Sequence, residues 1–297
     1  MQKRSRLALI AGMVLVLALD SSAAPVLPGQ YIGTFVVYSS DPQFGGISGF
    51  EISDDGRSFV ALSDRARWTE GRLNRNEAGK ITGITAAKMR PLLDETGKQW
   101  RGERADSEGL AIAPNGRAYV SFEGKHSARV VAYARMGRSA QPLPSAKAFA
   151  NMPANSALEA LAVDAAGAVY TMPEDPKGPY TVFRFRNGAW DSNLTISHQA
   201  DFQAAGADFG PDGRFYLLER GFHGIFGFSS RVRSFALTVR GFRDERVEMQ
   251  SNPGTHDNLE GLAVWRDEKG DIRLTMIADD NFYWVQRNEV VEYRVTP

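Results

Sequence analysis

Five glycines at nearly regular intervals constrain this chain more than any other feature. Gly56, Gly116, Gly167, Gly213 and Gly270 are separated by 60, 51, 46 and 57 residues. Each lies in a polar turn, with a short apolar run before it and an alternating run after it. GGISGFEISDDGRSFVALSD from Gly45, DSEGLAIAPNGRAYVSFE from Asp106 and SALEALAVDAAGAVYTMPED from Ser156 show the pattern. AAGADFGPDGRFYLLER from Ala204 and NLEGLAVWRDEKGDIRLTMIADD from Asn258 repeat it. Asp55-Gly56, Asn115-Gly116 and Asp212-Gly213 are hairpin pairs, because such turns need positive φ.

Each unit therefore reads strand, turn, strand, with length left for two more strands. Candidates are residues 130–134, 181–186 and 233–239. Four-stranded sheets repeated at this period are propeller blades. The chain is expected to be an all-β β-propeller, its ring closed by residues 31–38 and 289–295 completing one shared blade. Five hairpins are visible, but the long first and fourth intervals leave room for a degenerate sixth. Six blades are expected, with five as the alternative. A β-sandwich explains the strands but not the repeated hairpin.

The amino terminus bears on the compartment. Lys3, Arg4 and Arg6 precede an apolar stretch over 7–19, and Ser22-Ala23-Ala24 supplies small residues before Pro25. That is the order of a secretory signal. The stretch is too short to cross a hydrocarbon core of about 30 Å. Residues 1–24 are expected to be a signal peptide and 25–297 a single domain, periplasmic or secreted, with no later membrane span. Lys plus Arg and Asp plus Glu number 35 each, so no overall field points to nucleic acid. Cysteine is absent, which excludes thiolate catalysis and leaves stability to the core. A monomer is expected.

In a propeller, the start of each first strand and the end of each second strand emerge on one face. At the starts stand Glu108, Glu159 and Glu260; at the ends stand Asp64, Glu123, Glu174 with Asp175, Glu219, and Asp279 with Asp280. Crowded carboxylates repel unless something compensates them. Calcium, which takes six to eight oxygen ligands, would do so, with Asn258 and Asn281 adding neutral oxygens. Arginines would also do so, and Arg65, Arg129 and Arg220 lie close in sequence, as does His126. Both solutions remain open for different acids.

No pair among His126, His198, His223 and His256 has the spacing of a helical zinc site. His126, three residues after Glu123, is placed to serve as acid or base. Ser48 lies in Gly46-Ile47-Ser48-Gly49-Phe50, one residue short of a nucleophile elbow. Among the tryptophans, Trp68 in a polar stretch is the best candidate for a ligand contact. Trp100, Trp190, Trp265 and Trp284 read as packing between blades.

GGISGFEIS…FVALSDR, DSEGLAIAPNGRAYVSFEGKHSARVVAY and NLEGLAVW…IADDNF resemble the phytase-like family of exported bacterial proteins, described by esterase-like activity of phytase. The resemblance runs over most of the mature chain. It implies a β-propeller related in architecture to calcium-dependent propeller phytases and lactonases, and hydrolysis of esters or phosphoesters. By position, the characteristic residues are Gly46, Ser48, Asp64, Arg65, Glu108, Gly109, Glu123, His126, Arg129, Glu159, Glu219, Arg220, Glu260, Gly261, Asp279 and Asn281. The fourth unit has Ala205 in place of the acid, so the inner ring is incomplete.

The expected activity is metal-assisted hydrolysis of a phosphoester, carboxyl ester or lactone. Glu108, Glu159 and Glu260 would hold Ca²⁺, with Glu123 or His126 as base. Asp64, Arg65, Arg129, Glu219, Arg220, Asp279 and Asn281 would meet a small anionic substrate. The alternative is a non-catalytic propeller that binds a ligand or protein at the same face.

Overall fold

The structure is a computed structural model, and it describes residues 28–124, 128–199 and 201–296. The expected signal peptide over 1–24 and His126 lie outside the described residues. No helix among the described residues is long and apolar enough to cross a membrane.

Strand β1 (Gly29–Val36) opens the chain. The first blade follows as β2 (Ile47–Ile52), β3 (Ser58–Ser63), β4 (Arg67–Arg75) and β5 (Ile81–Ala86), with the short β6 (Arg90–Pro91) on β4. The second is β7 (Ser107–Ile112), β8 (Ala118–Phe122), β9 (Arg129–Tyr133) and β10 (Ala140–Pro142). The third is β11 (Ala160–Val163), β12 (Val169–Met172), β13 (Tyr180–Arg186) and β14 (Ala189–Ile196). The fourth is β15 (Gln203–Phe209), β16 (Arg214–Phe222), β17 (Phe228–Thr238) and β18 (Gly241–Gln250). The fifth, β19 (Asn258–Arg266), β20 (Ile272–Asp279) and β21 (Glu289–Val295), is completed by β1, which pairs antiparallel to β21. The termini thus close the ring as expected.

The propeller has five blades, the number of visible hairpins, and no sixth is present among the described residues. The long first interval is used by β5, β6 and the connection through the 3₁₀ turn Gly102–Ala105. The long fourth interval is used by the extended strands β17 and β18. All five ruler glycines adopt positive φ, from 68° to 89°, so each hairpin turn rests on the residue best able to make it.

Apolar side chains form five separate cores, one at each seam between neighbouring blades. Phe50, Phe59 and Leu73 meet Ala263, Ile277 and Val290 at the closing seam. Leu62 and Trp68 meet Val120 and Phe122 at the next. Both faces of each sheet are therefore covered, which is why the strands carry apolar residues at successive positions rather than in strict alternation.

The inner strands β2, β7, β11, β15 and β19 touch one another in cyclic order around the axis. Their approach is close enough to exclude a side chain. A methyl group on Gly49 would lie 2.7 Å from Leu110 Cβ, and one on Gly109 would lie 2.7 Å from Leu161 Cβ. On Gly206 it would lie 2.4 Å from the Glu260 carbonyl oxygen, and on Gly261 it would lie 2.6 Å from Phe50 Cβ. Because Gly261→Ala meets backbone-anchored atoms, it should cost about 2 kcal/mol by denaturant unfolding. Gly178→Ala, where nothing lies within 4 Å, should stay within about 0.5 kcal/mol of the parent. Equal effects at the two sites would refute close approach as the reason for Gly261.

Candidate functional site

Pairing between first and second strands slips at Ile47/Gly49, Ser107/Leu110, Ala204/Gly206 and Leu259/Gly261. A residue left out of the ladder bends the strand and redirects its side chain. Ser48, Glu108, Ala205 and Glu260 fall within these slips, and Glu159 immediately precedes β11. Beside them the channel narrows to a void of about 10 Å³ bounded by Ser48, Gly109, Glu159, Gly206 and Glu260. That is about the room one water needs.

The mouth acids divide into two groups. On one side Arg220 of β16 bonds Glu174 at 2.7 Å, Glu260 at a short contact, and Asn258 Oδ1 at 2.9 Å. Asn258 Nδ2 donates to Glu260 as well, at 2.8 Å. Arg220 is nearly buried, and the three carboxylates Glu260, Glu159 and Glu174 hold its guanidinium charged more firmly than usual. The arginine comes from the blade whose inner position is Ala205, so the one small residue in the ring belongs to the blade that supplies the cation.

On the other side, one oxygen each of Asp106, Glu108 and Glu123 lies within 4.8 Å of the other two. No arginine or lysine forms an ion pair with Asp106 or Glu108 among the described residues. Glu123 is buried and accepts a short hydrogen bond from the Ala157 amide. Burial, then Glu159 and Glu123, hold the Glu108 carboxyl well above the usual range. Burial and Glu123 do the same to Glu159. Burial raises Asp106 and Glu123 too, and Glu123 shares a hydrogen bond with Glu159.

At the first and fifth blades, burial pushes Asp64 up to about 6, and burial with Glu260 pushes Asp279 up to about 8. Asp279 Oδ1 accepts the Asn281 amide at 2.7 Å, and Asp280 Oδ1 accepts the Gly46 amide at 2.9 Å. Asn281 and Phe282 both adopt left-handed φ, 46° and 53°, so the chain turns sharply here. The turn sets the Phe282 ring under the Arg65 guanidinium, 3.3 Å from its centroid.

Several residues fall elsewhere than their sequence positions suggested. Glu219 is not at the mouth. The pleat sends neighbours to opposite faces, and Glu219 points toward the third blade, fully buried, where Arg231 and Arg233 hold it at 2.6 to 2.9 Å. Glu260 is taken up by Arg220 and so stands apart from the cluster around Glu108. Arg129 stacks against Trp100 and Phe122 and donates to the Arg104 carbonyl at 2.6 Å. Trp68 is buried beneath Arg90, whereas Trp284 is exposed. Ser48 donates to the Ser107 carbonyl at 2.7 Å, a bond joining two blades. His256 is buried against Tyr293, and burial lowers it to about 4.

Sequence reasoning passed over Asp106. Its place two residues before Glu108 puts both on one side of the strand, and that was the available signal. It also missed Glu51 and Asp208, which reach deeper into the channel and accept the amides of Ile112 and Val264, at 2.8 and 2.7 Å. They repel one another, and burial with this repulsion keeps Glu51 well above the usual range.

The raised acids set a pH dependence. A carboxyl with a folded pKa above its unfolded value near 4 keeps full stability below that value and loses it as pH rises toward the folded pKa. Stability in a chelator should therefore fall from about pH 4 to pH 6 through Asp64, and on to about pH 8 through Asp279. Thermal midpoints measured across this range that stay flat or rise would contradict the crowded mouth. Arg220→Met strands Glu174 and Glu260 without their cation and should cost about 3 kcal/mol at pH 7 by denaturant unfolding. At pH 5 the cost should shrink, because the carboxyls can take protons; an equal cost at both would refute the ion-pair account.

The catalytic domain of an alpha-L-arabinofuranosidase from Coprinopsis cinerea is similar at TM-score 0.53 and 13% identity, over 90% of this chain and 97% of that one. An alpha-L-arabinofuranosidase from Podospora anserina, solved with cellotriose, is similar at TM-score 0.52 and 14% identity, over 91% and 98%. Likeness at such identity extends to the fold, not to the activity. No curated protein matches the sequence. The phytase-like family, described by esterase-like activity of phytase, matches residues 42–282, which include every acid of the mouth. With five blades closed by its own termini and its acids gathered at one mouth, this chain belongs to the phytase-like family.

Proposed function

We propose that this protein is a hydrolase that opens a phosphoester, carboxyl ester or lactone at the acidic mouth, assisted by a divalent cation, with Ca²⁺ the best fit. The observation that carries this is the convergence of Asp106, Glu108 and Glu123 within 4.8 Å. Their donors are all carboxylate oxygens, the set a hard cation prefers. Their raised affinity for protons comes first from burial, and for Glu108 and Glu123 also from neighbouring carboxylates, a cost that such a cation would relieve. Asp106, Glu108 and Glu123 would hold it, rather than Glu108, Glu159 and Glu260, because Glu260 is engaged by Arg220.

A bound cation would polarise the scissile oxygen and acidify a water. The chain's own residues do the rest. Glu159, held well above the usual range by burial and Glu123, carries a proton that it gives to the departing oxygen, while the water that the cation would acidify releases its own proton to solvent. Hydroxide adds to the carbonyl carbon or phosphorus, the ester C–O or P–O bond breaks, and the departing oxygen leaves with the proton from Glu159, which solvent then restores. Arg220 fixes Glu260 and Glu174, which holds the wall opposite the cluster in place.

The test pairs stability with turnover. Added Ca²⁺ should raise the thermal midpoint in chelator-treated protein, with about 2.7 kcal/mol of stabilisation at a hundredfold excess over Kd. A panel of chromogenic phosphoesters, carboxyl esters and lactones should show hydrolysis that needs the cation. Glu108→Gln should abolish both effects while the fold is kept. Calcium stabilisation that survives in Glu108→Gln, or hydrolysis indifferent to chelator, would overturn the assignment.

A further inference from the structure

The mouth face is chemically lopsided. Two loops on it, between β16 and β17 and between β20 and β21, carry large apolar side chains in water. Phe222, Ile225, Phe226, Tyr283, Trp284 and Val285 are each between 64% and 96% exposed. These loops continue directly from the strands that bring Arg220 and Asp279 to the site. Residues 254–257 tie them into one surface. The Gly254 amide donates to the Phe228 carbonyl at 2.8 Å, and the Arg287 amide donates to Asp257 at 2.9 Å. An exposed apolar patch of this kind marks a binding surface.

The other side of the mouth carries arginines interleaved with the acids Asp64, Glu103 and Asp106. An open groove of about 580 Å³ runs outward from Asp64 and Asp106 and is lined by Arg65, Arg67 and Arg101. None of these three arginines forms an ion pair among the described residues. The acidic centre therefore lies between an apolar shelf on the fourth and fifth blades and an arginine groove on the first and second.

We infer that the mouth takes an amphiphilic ester, with its apolar chain or ring on the shelf around Trp284 and Phe226 and its anionic end in the arginine groove. This rests on the hydrolase reading for the scissile bond but not for binding. An apolar group laid on the shelf leaves water, while the arginines meet phosphate or carboxylate through two donors each. A small polar sugar phosphate would leave the shelf unused.

Octylphosphonate and ethylphosphonate share a headgroup and have no scissile ester, so calorimetric titration separates binding from chemistry. Octylphosphonate should bind at least tenfold more tightly, about 1.4 kcal/mol. In the double variant Trp284→Ser, Phe226→Ser, whose altered side chains are exposed, the advantage should fall below threefold. Arg67→Gln with Arg101→Gln should weaken both ligands alike. Equal affinities for the two ligands, an octyl advantage that survives the loop variant, or full affinity without the arginines would overturn the inference. Trp284-dependent sedimentation with phosphatidylcholine vesicles, in place of soluble binding, would overturn it in favour of a lipid surface. A chain-length preference in protein that hydrolyses no ester would leave this inference standing and remove the hydrolase reading.

Discussion

The close approach of the five inner strands is the constraint from which the rest of the structure follows. Where Gly49, Gly109, Gly206 and Gly261 meet the neighbouring strand there is no room for a β-carbon, and Ala160 serves at the fifth seam. Strands this close leave almost no channel. The bulges that accompany the glycines direct the preceding residues toward the axis. Two of those four residues are glutamates, Glu159 stands just before β11 in the remaining blade, and the ends of the second strands add further acids to the same opening. Backbone packing thus creates the electrostatic problem of the mouth.

The protein meets that problem in two ways, and the division locates the chemistry. Arg220 gathers Glu174, Glu260 and Asn258 into a network that is fully hydrogen-bonded and therefore rigid. Asp106, Glu108 and Glu123 are left as an oxygen cluster with elevated proton affinity. A group held out of its preferred charge state is poised for a cation or a proton, which is how a site differs from a structural ion pair. The contrast with Glu219 is instructive. Held by two arginines and fully buried, it has the marks of a structural network between blades.

Much of this was legible in the residues. The hairpin turns stood out because positive φ leaves a glycine signature, and strand spans such as Glu289–Val295 followed from alternation and β-branching. The direction of individual side chains was less legible. Glu219 and Arg220 are adjacent and equally plausible as mouth residues, and only the bulge between Ala204 and Gly206 decides which faces the axis. Trp68 sits in a polar stretch and is buried, while Trp284, between Tyr283 and Val285 in an apolar run, is exposed. Exposure here depends on which loop a neighbouring blade covers, and local composition does not record that.

By itself, the sequence determined that the chain is a ring of four-stranded units closed by its own ends, with acids collected at one opening. Those properties rest on turn chemistry and strand period, which act over a few residues. Only the tertiary structure decided the number of blades, since a long interval can be filled by longer strands as well as by another sheet. It also decided which acids share Arg220 and which gather around Glu108. Arg220 in the fourth blade, Glu174 in the third and Glu260 in the fifth meet because three strands converge on one axis, and no local pattern encodes a contact between residues 46 and 40 positions apart.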